Sequence, residues 1–215
     1  MIKKIMLLAL AAASFALFAL PALASAQEIH LDTAATFTGT GGAGSLVAEG
    51  EPTITCESTE VNNGTISTGG TTGTMNLDFK GCHTSVFGLT AKCHTTGSAA
   101  DNTVASGGTF HLIKLANGSP AVLVTANTTV VVCAGISNTH VEGSIIGTIT
   151  SPACEASSST MTLNFTRTGF TQDHELYTGA SYGLTATTIG GSAKPAALNT
   201  EVTLNADAVG TLTCT

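Results

Sequence analysis

The sequence is poor in basic and aromatic residues, and each scarcity disfavours a class of partner. Lysine and arginine number seven in 215 residues, and charged residues of both signs make up only 10% of the chain. Because the basic residues are scattered, they form no patch for the phosphates of nucleic acids or for anionic lipids. Tryptophan is absent and only two tyrosines occur, which weakens a carbohydrate-binding role because sugars commonly stack on aromatic rings. No nucleic-acid partner is predicted.

Residues 1–26 have the pattern of a secretory signal peptide. Two lysines precede an apolar run from Ile5 to Leu20, and Ala24-Ser25-Ala26 is a small-residue cleavage site. An uncleaved anchor is the weaker alternative, because the run is shorter than the ~20 residues of a spanning helix. The mature chain is expected to begin at Gln27 and to be secreted, with no membrane span. Five basic and all fourteen acidic residues remain in it, which gives a formal charge of −9.

The abundant residues and their alternation predict an all-β fold. Threonine and valine suit strands, and the 24 glycines suit turns. In the stretch Thr74-Met75-Asn76-Leu77-Asp78-Phe79, apolar side chains alternate with short polar ones, as in a strand with one buried face. No stretch shows a sustained helical period. The prediction is a β-sandwich or barrel, which a chain of this length can stabilise with one core.

The same pattern occurs twice, which predicts two duplicated halves. Thr160-Met161-Thr162-Leu163-Asn164-Phe165 repeats the first motif, and Phe87-Gly88-Leu89-Thr90-Ala91 returns as Tyr182-Gly183-Leu184-Thr185-Ala186. We divide the chain into a signal peptide (1–26), an N-terminal strand and glycine-rich linker (27–50), a first β half with a connecting hairpin (51–132) and a second β half (133–215). The two halves are expected to form one compact unit.

Two Asn-Gly pairs predict tight hairpin turns, because both central residues of such a turn adopt positive φ angles. Asn117-Gly118 lies between two apolar stretches, Thr109 to Leu115 and Ala121 to Val124, and marks the clearest hairpin. Asn63-Gly64 offers a second turn in the first half.

Six cysteines in a secreted chain indicate three disulfides, for which sequence alone allows fifteen connectivities. The second copy has Thr168 and Thr188 where the first has Cys82 and Cys93. Because both cysteines are missing together, we expect Cys82 to bond with Cys93, which would stabilise the fold by roughly 3 kcal/mol.

The remaining cysteines are then expected to pair as Cys133 with Cys154 and Cys56 with Cys214. Cys154 lies in an insertion specific to the second half and close to Cys133. Cys56 with Cys82, or Cys133 with Cys214, stays open as an alternative.

Two small clusters could support chemistry. Cys82-His83 and Cys93-His94 place imidazoles beside cysteines, and His83 with His94 could hold a metal weakly across a disulfide. The spacing fits no standard zinc module, and the favoured interpretation is a disulfide with two exposed histidines. No cofactor is predicted.

The second cluster is Asp173-His174-Glu175, which we interpret as a solvated loop. A secreted hydrolase would need two carboxylates, such as Asp78, Asp173 or Glu175, facing one cleft about 5 to 10 Å apart. Nucleophile-elbow, zinc-helix, phosphate-loop and EF-hand patterns are absent. The favoured function is a secreted, non-catalytic extracellular or cell-surface protein with a structural or binding role. Hydrolase and metal-binding protein are the alternatives.

Overall fold

The protein is all-β. The structure, a computed structural model, describes residues 29–96, 98, 102–188 and 190–214, so the signal-peptide prediction lies outside the described residues. No helix occurs among those residues, and hence none that could cross a membrane. The all-β prediction is therefore confirmed.

The described residues contain eighteen strands. They are β1 (Ile29–Leu31), β2 (Ala35–Gly41), β3 (Gly44–Ala48), β4 (Ile54–Cys56), β5 (Ser58–Ile66), β6 (Thr72–Lys80), β7 (His83–Val86), β8 (Leu89–Thr95), β9 (Val104–Lys114), β10 (Pro120–Cys133), β11 (Ser137–Ser151), β12 (Ser157–Phe165), β13 (Arg167–Thr168), β14 (Thr171–Gln172), β15 (Leu176–Tyr177), β16 (Ala180–Ser181), β17 (Leu184–Thr188) and β18 (Lys194–Cys214).

The antiparallel strand pairings form two closed circuits, in each of which the last strand pairs with the first. One circuit runs β2, β5, β6, β9, β10, β11, β12, β18 and back to β2. The other runs β3, β4, β7, β8, β10, β11, β17, β18 and back to β3. The long strands β10, β11 and β18 belong to both circuits. Short steps in the chain join β2 to β3, β4 to β5 and β6 to β7.

Alternating side chains of these strands form the core on one face of the sheet. In β2 the burial alternates along the strand, with Ala35 and Phe37 buried and Thr36 exposed. The largest apolar cluster lies on the same face of the first circuit, and a smaller one, which contains four cysteines, lies in the second circuit. A third cluster on the opposite face, around Leu123 and Ile146, packs against Tyr177 and Tyr182 from the loop between β12 and β17.

The two Asn-Gly pairs have different structures. The predicted β9–β10 hairpin is confirmed, but of its Asn-Gly pair only Gly118 adopts a positive φ, of 87°. The predicted turn at Asn63-Gly64 is wrong, because both residues lie inside β5, where the register with β2 and β6 shifts. Asn63 still adopts a positive φ of 51°, so the residue type supplies the conformation of a β-bulge instead of a turn.

Glycine-rich stretches also differ from the prediction. Gly39 and Gly41 lie within β2 and Gly44 begins β3, so the predicted linker is strand. Gly73 in β6 pairs with Phe110 in β9, and the Phe110 ring lies over the glycine. A Cβ atom at Gly73 would overlap both this ring and the carbonyl oxygen of Thr65.

We expect Gly73→Ala to lower the free energy of unfolding by about 1 to 3 kcal/mol, the usual cost of overpacking a core. The backbone oxygen of Thr65 cannot move aside as a flexible side chain could. Gly42→Ala is the control, because a Cβ at this exposed position meets no atom within 4 Å. Chemical denaturation of both variants measures the difference, and a neutral Gly73→Ala would contradict the close approach of Phe110.

Four cysteines form one row across neighbouring strands. The registers place Cys56 in β4, Cys82 before β7, Cys93 in β8 and Cys133 in β10 side by side. Disulfides join Cys56 to Cys82 and Cys93 to Cys133, whose Cα atoms are 4.0 Å and 4.1 Å apart. The central neighbours are joined instead by a backbone hydrogen bond, from the N–H of Cys93 to the carbonyl of Cys82, 2.9 Å long.

The alternative pairing Cys56–Cys82 is confirmed. The alternative Cys133–Cys214 and all three favoured pairings are wrong, namely Cys82–Cys93, Cys133–Cys154 and Cys56–Cys214. Antiparallel pairs alternate between hydrogen-bonded positions and closer positions without hydrogen bonds. Cys82 and Cys93 occupy the wider kind of position, although they are neighbours as the sequence suggested. The third disulfide joins Cys154, after β11, to Cys214 at the end of β18.

Candidate functional site

His83 and His94 lie on the same face of the β7–β8 hairpin as Lys92. The β7–β8 register places His83 opposite Lys92, and His94 is two residues further along on the same face. The Nδ1 atom of His83 lies 3.1 Å from the carbonyl oxygen of Gly81. The positive charge of the Lys92 ammonium disfavours a metal cation bound by the two histidines. In the described part of the chain, histidine, cysteine and carboxylate side chains form no group of three that could hold a metal.

Of the three carboxylates proposed for a hydrolase, one lies on β6 and two lie on the loop between β12 and β17. Asp78 on β6 accepts hydrogen bonds of 3.3 Å from both Asn62 and Lys80. Asp173 accepts a 2.7 Å hydrogen bond from Thr168, and Glu175 lies further along the same loop. None of the three carboxylates lines either interior cavity described below, so a shared catalytic cleft gains no support.

The polar loop between β12 and β17 contains a buried residue that the sequence interpretation missed. Gln172 is only 2% exposed. Its Nε2 donates to the carbonyl oxygens of Thr166 and Leu198 at 2.8 Å and 2.9 Å, and the Leu198 N–H donates to its Oε1 at 3.1 Å. β18 pairs with β12 and with β17, and Leu198 lies in the interval between these two pairings. The Gln172 carboxamide takes the place of a strand partner in this interval. No local sequence signal distinguishes this residue from its solvated neighbours.

The tip of the β7–β8 hairpin exposes two large apolar side chains. Phe87 is fully exposed and Leu89 is 72% exposed. Phe87 and Gly88 form a two-residue turn, with φ angles of 49° and 81°. A positive φ costs a phenylalanine about 1 to 2 kcal/mol relative to the ordinary conformation. Neither packing nor backbone preference explains the side chain, and such strain is frequent at functional positions.

We expect Phe87→Asn to raise the free energy of unfolding by about 1 kcal/mol, because asparagine accepts positive φ and the mutation removes no buried contact. The hairpin β15–β16 offers a matched control. There Thr178 has the same φ of 49° and precedes Gly179, so Thr178→Asn should also stabilise. Thermal and denaturant unfolding measure both effects. A destabilised Phe87→Asn would mean that the phenylalanine ring packs within its own chain.

Two aspartates join the segment around β1 and β2 to β18. The Thr211 N–H donates to Asp32 at 2.7 Å, and this bond is the main reason why the pKa of Asp32 is lowered. The hydroxyl and N–H of Thr36 donate to Asp207 at 2.7 Å and 2.9 Å, and they lower the pKa of that carboxyl, the hydroxyl most.

Because both pKa values are lowered by folding, the ionised carboxylates stabilise the folded state above the ordinary aspartate pKa of about 3.9. This stability is lost as the pH falls through the lowered values. We expect Asp32→Asn with Asp207→Asn to be less stable than the parent chain at pH 7. The deficit should shrink as the pH falls through the lowered pKa values, because the parent carboxylates then become protonated too. Denaturation curves over a series of falling pH values test this, and a deficit that stays the same across the acid range would contradict it.

Two apolar cavities lie within the strand circuits. The first, about 60 Å³, is lined by side chains of the main cluster that include Phe37, Met75 and Met161. The second, about 80 Å³, lies between the two core clusters and is lined by residues that include Leu46, Phe79 and Val131. Such cavities suit small apolar molecules more than water.

Comparison with known proteins gives no further assignment. No protein-family model matches the chain, and no significant match was found among curated proteins or solved structures.

Proposed function

We propose that the protein is a secreted, non-catalytic binding protein that docks through the β7–β8 tip onto an apolar pocket of an extracellular or cell-surface protein. The observation that supports this most is Phe87, which is fully exposed at a positive φ. The exposure of the apolar ring and the positive φ are both unfavourable, and both occur at this one residue. The Phe87 side chain has no role in the fold that offsets these two costs.

A protein partner suits the charges better than a lipid surface. The chain from Gln27 onward has fourteen acidic and five basic residues, and anionic membranes attract basic segments. An aromatic side chain that enters a pocket is the common anchor of protein interfaces. Leu89 stands beside Phe87 at the start of β8 and would enlarge the contact.

The framework we propose is an eight-stranded, up-and-down barrel. Most of its barrel strands run through both circuits, either as one long strand, such as β10, or as two successive strands, such as β6 and β7. The closed pairings support this proposal. The internal duplication stays a prediction. Met75 and Met161 lie on the third and seventh strands of the first circuit, as two equal halves would require. The positions of Leu89 and Leu184 do not support the duplication. β8, which begins with Leu89, starts a new barrel strand, whereas β17, which begins with Leu184, continues the barrel strand of β12.

Export is part of the proposal and can be tested by mass. Three disulfides among the described residues are consistent with an oxidising compartment. Protein recovered from the culture medium should have the mass of residues 27–215 less six hydrogen atoms. A full-length chain retained in the cytoplasm with free thiols would contradict export.

Docking can be tested by photo-crosslinking in cells that produce the protein. A photoreactive phenylalanine analogue at position 87 should give one discrete adduct with another protein. Val209, which is apolar and 64% exposed away from the hairpin, is the matched control position and should give none. No adduct at position 87, or the same adducts at both positions, would overturn the proposal.

A further inference from the structure

The first cavity, which we call the methionine cavity, lies within the first strand circuit. Its apolar wall comes from Phe37, Phe110, Leu112, Leu163 and Leu204, with Met75 and Met161 completing it. Met75 belongs to the main core cluster and is only 3% exposed, and Met161 packs against that cluster. The wall is therefore continuous with the core.

The two methionines face the cavity from opposite sides. Met75 is on β6 and Met161 on β12, the third and seventh of the eight strands in the circuit. They are the repeated methionines of the two related motifs. An unbranched thioether adapts its shape to a neighbouring molecule more readily than a branched side chain does. The motif thus places two adaptable side chains around one space.

The wall of the methionine cavity is interrupted between β12 and β18. Ser158 pairs with Gly210 and Thr160 with Asn205, so one residue of β12 lies opposite the four residues 206–209 of β18. Ser158, Ser159, Thr160, Ala206 and Ala208 all line the cavity. Where the ladder is broken, backbone hydrogen bonds do not close the wall. The gap lies beside the hydroxyl side chains of the wall.

The lining determines the chemical class of a ligand. Among the described residues that form the wall, the polar side chains are hydroxyls at positions 158–160 and none is charged. The Asp207 carboxylate, between Ala206 and Ala208, would repel an anion at the gap between β12 and β18. A volume of about 60 Å³ is below that of the engineered cavity of about 150 Å³ that binds benzene or xenon. The ligand must be small and uncharged.

We propose that the methionine cavity is a binding site for a small, uncharged, apolar molecule that enters between β12 and β18 and lies between Met75 and Met161. A single hydroxyl on the ligand can remain at the entrance, beside Ser158 and Thr160. This site is independent of the β7–β8 tip. The proposed docking function can fail while the cavity binds, and the reverse also holds.

Methionine methyl NMR provides a direct probe. Two of the four methionines lie in residues 1–26, so a chain that begins at Gln27 has only Met75 and Met161. Protein labelled with ¹³C at the methionine methyl groups should therefore give two signals, which Met75→Leu assigns. Under xenon pressure both signals should shift and approach saturation. At fixed concentration, 1-propanol should shift them as well, and propionate should leave them unchanged.

Ala206→Leu fills the methionine cavity and should abolish the saturable shifts. Ala126→Leu is the matched control, because Ala126 lines only the second cavity, and it should keep them. If Ala206→Leu does not fold, Ala208→Leu fills the same cavity from the next lining position on β18. Two dispersed signals that do not move with xenon in the folded parent chain would overturn the proposal. Equal shifts in the filled and control variants, or a response to propionate equal to that of 1-propanol, would overturn it too.

Discussion

Replacing Cys56 and Cys82 together by alanine is expected to lower the free energy of unfolding by about 3 to 5 kcal/mol. The disulfide closes a loop with a sequence separation of 26 residues, for which loop entropy alone gives about 3.5 kcal/mol. Both cysteines are also at least 95% buried, in the smaller core cluster. The double variant therefore loses core packing in addition to the constraint on the unfolded chain.

The matched control is Cys154→Ala with Cys214→Ala. This disulfide closes a longer separation of 60 residues, so loop entropy alone predicts that its loss costs more. Its cysteines are only partly buried. We expect the Cys56/Cys82 variant to be at least as destabilised as the control when both are unfolded in denaturant. A clearly larger loss in the control would show that packing around the cysteine row contributes little.

Gln172→Ala is expected to lower the free energy of unfolding by about 2 to 4 kcal/mol. The substitution leaves the N–H and carbonyl of Leu198 without their partner. It also removes one of two hydrogen bonds to the Thr166 carbonyl, which keeps the 3.0 Å bond from the Asp173 N–H. An unsatisfied buried polar group typically costs about 1 to 3 kcal/mol. Because the carboxamide closes the interval between β12 and β17, we also expect faster hydrogen exchange at the Leu198 amide.

Two further variants sharpen this expectation. Thr171→Ala changes an exposed neighbour in the same short strand and should stay within about 0.5 kcal/mol of the parent chain. Gln172→Glu keeps the shape but places an acceptor against two carbonyl oxygens. It should be destabilised at pH 7 and partly recover at low pH, where the protonated acid can donate one hydrogen bond. A Gln172→Ala variant as stable as Thr171→Ala would show that Leu198 has another partner.

Much of the fold follows from local patterns that act within a few residues. Alternation around Met75 and Met161 correctly predicts strands, because the side chains of a strand point to opposite faces in turn. The Asn117-Gly118 turn is also predicted from local chemistry. At Asn63-Gly64 only Asn63 adopts the expected positive φ, and pairing with two neighbouring strands places the dipeptide in a bulge.

The features that the sequence does not predict depend on register. Cys82 and Cys93 are indeed neighbours, yet the hydrogen-bond pattern of their strands assigns each to its other neighbour. The burial of Gln172, next to the Asp173-His174-Glu175 cluster, is not predicted either, because it depends on a gap between strands that are far apart in sequence. Similarly, no single stretch indicates that Met75 and Met161 share a cavity.

The closed strand circuit is the claim on which both the interior cavity and the proposed barrel depend. The most direct test is to measure NMR cross-strand contacts between β18 and β2, the last and first strands of the first circuit. We predict contacts between Leu204 and Gly39 and between Val202 and Gly41, comparable in intensity to those between β10 and β11. The absence of these contacts, with those between β10 and β11 intact, would show that the sheet is open.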